Sequence, residues 1–153
     1  MRLKPVFGVV RPFEAWKRGR GLAFAMTLAL AVCACTDRLP DQDLRIVDAK
    51  PVERLSAALL WQDFQSQRER AEQNYNGKAL LVVGDVTKLG TDVPGDRYVY
   101  FGQTETNGIL ANLLDDRAST VLEAARVNPR VTLKCFCEGL ASDVILKSCI
   151  AQE

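Results

Sequence analysis

The chain has 153 residues, with 20 Lys+Arg against 19 Asp+Glu, and no histidine. The lack of histidine removes the commonest general base and the commonest metal ligand, which excludes Ser-His-Asp, Cys-His and HExxH chemistry within this chain. No P-loop, GxGxxG or paired CxxC is present, and no spacing singles out a carboxylate pair, so the sequence calls for no enzyme, cofactor or metal.

Charge is unevenly spread. Arg2, Lys4, Arg11, Lys17, Arg18 and Arg20 precede an apolar run, Gly21 to Val32, that ends in Val32-Cys33-Ala34-Cys35. A basic stretch, a short apolar stretch and small residues before a cysteine read as an export signal of the lipoprotein kind. The 12-residue run is short for a membrane span, which needs about 20 residues. Residues 1–35 are therefore read as a lipoprotein signal peptide with Cys35 as the lipidated residue, because Ala34 before it is small. Cys33, preceded by Val32, is the rival, and a plain signal anchor is the bland alternative. The expected location is the periplasmic face of a bacterial membrane, held by the lipid.

Six of the 20 basic and one of the 19 acidic residues precede Thr36, which leaves 14 basic against 18 acidic and a net charge of −4 over 118 residues. That length suits one domain with a modest core. A mildly acidic domain gains nothing from general phosphate attraction, which weighs against non-specific nucleic-acid binding while leaving room for a local basic groove.

Residues 36–50 are polar, carry Pro40 and mix charges, as a flexible tether would. Ser56 to Asn74 reads as one helix: Leu60, Phe64, Gln67, Ala71 and Tyr75 mark a face, Ser56 is the N-cap, and Leu55 with Leu60 forms a hydrophobic staple. Trp61 and Phe64 are read as core. Asn76-Gly77 ends the helix. Ala79 to Leu89 is a strand with Leu80, Val82, Gly84 and Val86 on one face, and Gly84 marks a bend. Pro94-Gly95 is a turn, Arg97 to Thr104 the second strand, Ile109 to Leu114 the third, and Asn107-Gly108 a hairpin signal. Asp115 to Arg126 is a second helix capped by Asp115 or Asp116, with Ala118, Val121, Leu122 and Ala125 as its apolar stripe, and Pro129 stops it. Arg130 to Cys137 and Asp143 to Ile150 complete the strands. The predicted fold is mainly β with two helices: a five-stranded OB-fold barrel preceded by an N-terminal helix, residues 51–153.

Leu60, Phe64, Ala71, Tyr75-Asn76-Gly77-Lys78 and Val82-x-Gly84-x-Val86, followed by Val131-x-Leu133, Cys137-Glu138-Gly139, Val144-x-Leu146 and Cys149, resemble the tRNA-anti-like OB-fold family of small bacterial envelope proteins, lipoproteins among them. The similarity runs from about Ser56 to Ile150. Cys135 stands where the family usually has glycine, and Ala111 where it often has cysteine. Three thiols without a histidine leave zinc one ligand short, so an exported domain favours a disulfide. The resemblance implies Cys137–Cys149; a hairpin centred near Ser142 would instead set Cys135 opposite Cys149.

Tyr98 and Tyr100 share a face of the second strand, with Arg97 and Arg117 to add charge. OB domains present strands two and three to ligands, and aromatics there serve as stacking platforms. The rival reading is core: with a two-residue Asn-Gly turn both tyrosines fall on the face of Ile109, Ala111 and Leu113, and a one-residue change in loop length reverses this. The expected function is a non-enzymatic, lipid-anchored periplasmic binding module for an envelope protein, glycan or other extended polymer. Single-strand nucleic-acid binding is the alternative.

Overall fold

The computed structural model describes residues 42–91, 95–103 and 106–152. The signal-peptide and lipidation expectations at Cys33 and Cys35 lie outside these residues.

The elements, in order, are a 3-10 turn Leu44–Val47, β1 Glu53–Ser56, α1 Ala57–Ser66, α2 Arg68–Tyr75, β2 Ala79–Asp85, β3 Lys88–Thr91, β4 Arg97–Phe101, β5 Ile109–Leu113, α3 Asp115–Val127, β6 Arg130–Leu140 and β7 Val144–Ala151. The strands form one mixed sheet in the order β1-β2-β6-β7-β5-β4-β3. The prediction of five strands and two helices is thus corrected to seven strands and three α-helices in an open sheet. Three features account for the difference. The predicted first strand is divided at Val86-Thr87, and Glu53–Ser56 adds an unforeseen parallel edge to β2. The predicted long helix also breaks, at Gln67 (φ −143°, ψ 56°), while Leu60, Phe64, Ala71 and Tyr75 on both sides of the break still enter one core.

That core also takes Leu80 and Val82 from β2, Val99 and Phe101 from β4, Leu133 from β6, Leu146 from β7, and Ala118 and Val121 from α3. Strand alternation supplies the sheet side of it and i, i+3 spacing the helix side. Ser56 caps α1 as predicted, its Oγ accepting from the Leu59 N–H at 3.1 Å. The cap of α3 is a correction. Neither Asp115 nor Asp116 caps it; the Asp115 N–H donates to Gln42 Oε1 at 2.9 Å, a partner 73 residues away. The two aspartates sit in the first helical turn, where negative charge suits the helix dipole.

The tether expectation for residues 36–50 is corrected from Asp43 onward. Ile46 is fully buried and joins Ala79, Leu114, Phe136 and Ile150 in a second, smaller apolar cluster. Asp43 N–H donates to Ser148 Oγ at 2.7 Å, and Lys134 Nζ donates to the carbonyls of Val47 and Ala49 at 2.9 and 3.3 Å. This strap lies across β6 and β7.

The disulfide joins Cys135 to Cys149, not Cys137 to Cys149. Register is the reason. Lys134 pairs with Ile150 but Phe136 with Lys147, so β7 carries one extra residue there, and Ser148 takes it up with a φ of 53°. This is a β-bulge, and it leaves Cys135 facing Cys149 with Cα atoms 4.3 Å apart. A compensating irregularity at Glu138 restores the pairing Leu140 to Val144, so the hairpin is centred on Ser142. Cys137 is opposite Leu146, buried and unbridged, and its burial pushes the thiol pKa up to about 12.

Candidate functional site

The predicted ligand face is assembled differently from either sequence reading. The β4–β5 connection spans residues 102–108 rather than a two-residue turn, and the register becomes Tyr98 to Asn112, Val99 to Ala111, Tyr100 to Leu110 and Phe101 to Ile109. Val99 and Phe101 therefore enter the core, and the two tyrosines take the opposite face of the sheet. They do not form a stacking platform. Tyr100 is 4% exposed; its hydroxyl donates to Asp143 Oδ1 at 2.8 Å, and the Gly108 N–H donates to the same oxygen at 3.0 Å. Burial, then this bond to Asp143, raises the Tyr100 pKa. Tyr98 is half-buried, its ring lying so close over Gly90 that a side chain at position 90 would collide with it.

The basic residues proposed to flank the tyrosines are drawn to α3. Arg97 Nη2 donates to the Asp115 carbonyl at 2.7 Å and lies 4.0 Å from the Asp115 carboxylate. Arg117 lies 3.8 Å from Asp116. No continuous basic track is formed by these pairs.

A groove of about 620 Å³ opens elsewhere, between the start of α1, the end of β2, the end of β4 and the β4–β5 connection. Ala57, Trp61, Val83 and Phe101 give it an apolar lining; Ser56, Thr87, Gln103 and Asn107 supply hydroxyls and amides. Arg130 and Asp85, paired across β6 and β2 at 3.6 Å, bring opposite charges that offset each other. Gly84 makes the local packing possible: a Cβ there would lie 2.8 Å from both Ala57 Cβ and Phe101 Cδ1, inside contact distance, so the helix start could not approach the strand. Trp61, expected in the core with Phe64, instead packs at the core's edge and lines this groove, while Phe64 is buried as expected.

The sequence offered one hint of the groove, the glycine inside an apolar strand. Its lining comes from segments more than 70 residues apart, which no local pattern brings together. A second hollow, about 310 Å³, lies beside Glu53, Asp63, Arg70 and Tyr75. There Tyr75 Oη donates to Asp63 Oδ2 at 2.8 Å, and burial together with this bond pushes the Tyr75 pKa up to about 12. Among the described residues no group of three or more Cys, Asp or Glu could hold a metal ion, and no helix is long and apolar enough to cross a membrane.

The tRNA_anti-like family model matches residues 17–150. The chain belongs to the tRNA_anti-like family. A solved structure from Klebsiella pneumoniae subsp. pneumoniae MGH 78578, provisionally named a nucleic acid-binding lipoprotein, is similar at 16% identity over 75% of this chain and 100% of that one, with a TM-score of 0.47. At that level the likeness carries no argument about this chain. No curated protein matches it.

Proposed function

We propose that this tRNA_anti-like chain is a non-enzymatic binding module, lipid-anchored through Cys35 on the periplasmic face of the membrane, that holds an extended polypeptide segment of an envelope protein in the Trp61–Phe101 groove. The open sheet keeps one OB-like feature, the bend between β2 and β3. Only Val86 and Thr87 separate β2 from β3; the Val86 N–H donates to the Pro129 carbonyl and the Thr87 N–H to the Tyr100 carbonyl. β2 and β3 are then two halves of one bent strand that pairs with β6 through its first half and β4 through its second, with β1 as a further parallel edge on β2.

The observation that carries the binding reading is the groove's chemistry: an aromatic and aliphatic lining, neutral hydrogen-bonding groups, and one Arg–Asp pair. Neutral amides and hydroxyls complement a peptide backbone, and an apolar lining takes side chains. A phosphate backbone would call for unpaired cations along its path.

Nucleic-acid binding is kept as the second reading because the family name points that way. The test is a 12-residue phage-displayed peptide selection on the mature protein, run beside anisotropy titrations of labelled single-stranded DNA across a salt series. Selected peptides carrying an apolar anchor, with affinity lost in Trp61→Ala and kept in Tyr98→Ala, support the groove. Saturable DNA binding that weakens steeply with salt, with no peptide enrichment, would replace it with the nucleic-acid reading.

A further inference from the structure

The strap over β6 and β7 has two unlike faces. Its inner face is fixed: Ile46 is fully buried, and Lys134 and Ser148 hold the backbone on both sides of it. Its outer face is apolar. Leu44 is 65% and Val47 42% exposed. In a 3-10 turn residues three apart eclipse one another, so these two side chains lie on the same side. Val52, a few residues on, is 60% exposed. Of the five large apolar residues exposed among those described, these three fall within nine positions. Exposed Lys50 and Arg54 are interspersed with them, as are exposed Asp48 and Glu53, while Arg45 is bonded to Asp43; long basic side chains can place apolar stems near a bilayer and charged heads in water.

The position of this patch along the chain names its occupant. Gln42 is seven residues after Cys35. However those residues are arranged, they span at most about 25 Å. A domain anchored at Cys35 thus cannot carry Leu44 and Val47 far from the lipid surface.

We propose that Leu44 and Val47 seat in the interfacial layer of the bilayer, so that the strap is a second, non-covalent membrane contact that fixes which face of the domain meets the lipid. A single acyl-type anchor leaves orientation free, and a rigid apolar patch beside it removes that freedom. The β6–β7 face under the strap then turns toward the bilayer. This inference rests on the reading of Cys35 as lipidated.

The test uses the full chain, processed in cells and reconstituted in phosphatidylethanolamine–phosphatidylglycerol vesicles whose acyl chains carry bromine. Leu44→Trp and, separately, Val127→Trp are made in a Trp61→Phe background; the same variants with Trp61 retained give the result as a difference if Trp61→Phe does not fold. Val127 is 89% exposed at the end of α3 and outside the strap. The mass of the mature protein reports lipid at Cys35. With lipid present, loss of most of the Leu44→Trp emission in brominated vesicles, with the Val127→Trp emission kept, supports the proposal. Lipid present with equal emission from both positions overturns the strap contact and leaves the anchor standing. Absence of lipid at Cys35 overturns both.

Discussion

The β6–β7 face and the Trp61–Phe101 groove are built from the same sheet by opposite means. On the β6–β7 face the backbone of the strap is tied: Lys134 bonds two strap carbonyls, Ser148 accepts from the Asp43 N–H, and the Cys135–Cys149 bridge crosses the strands beneath. Around the groove Thr87 Oγ1 donates to the Tyr100 carbonyl, and the amides of Gln103 and Asn107 border an apolar lining that no described residue fills. On the proposed function, the face closed by the chain carries stability and the concave one carries binding.

Substitutions should separate the two regions. The largest effect is expected at the bridge. Cys149→Ala removes a link that closes a short loop and should cost about 3 kcal/mol in urea unfolding under oxidising conditions, while Cys137→Ala leaves the bridge intact. On the groove side, Gly84→Val forces a side chain between Ala57 and Phe101 and should cost about 1–3 kcal/mol, with a fall in any groove affinity larger than the change in stability accounts for. Lys134→Met keeps the apolar stem but leaves the Val47 and Ala49 carbonyls without their donor, a loss of about 1–2 kcal/mol. Faster amide hydrogen exchange confined to residues 43–49 would show that the strap loosens locally; unchanged exchange there would show that its apolar contacts alone hold it.

Near neutral pH the smallest effect is that of the Cys137 thiol, which shows only as an alkaline slope. The Cys137 thiol ionises near 9.0 when free, and its burial raises this to about 12 in the fold. Between these values the unfolded chain releases a proton that the native one keeps, so stability is intact below pH 9 and falls as pH rises toward 12, by at most about 1.4 kcal/mol per pH unit from this group. Cys137→Ala should flatten the alkaline limb of the stability curve, with a residual slope left by Tyr75 and Tyr100.

Where local pattern decides structure, the sequence was legible. The Ser56 cap, the alternation from Leu80 to Val86, the stripe of α3 and its stop at Pro129 all follow from neighbours within a few residues. Where the outcome depends on register, it was not. The length of the 102–108 connection decides which face Tyr98 and Tyr100 occupy, and the bulge at Ser148 decides which cysteine meets Cys149. A serine at positive φ announces itself in no propensity scale. The four residues of β1 and the strap's single buried isoleucine were too short to show a period, because both are held by partners that lie distant in sequence. The groove escaped for the same reason: Trp61, Gly84, Phe101 and Arg130 belong to different elements.

Trp61 makes the central claim directly measurable, since it is the only tryptophan after Cys35. Its emission should be followed while the mature protein is titrated with the strongest peptide from the selection. The account predicts a saturable blue shift whose midpoint matches the affinity measured by anisotropy, and a weakening of that affinity by more than about tenfold in Trp61→Ala, as expected for an aromatic anchor. Tight binding that leaves the Trp61 emission unchanged and is lost in Tyr98→Ala would contradict it and move the site to the outer face of β4 and β5.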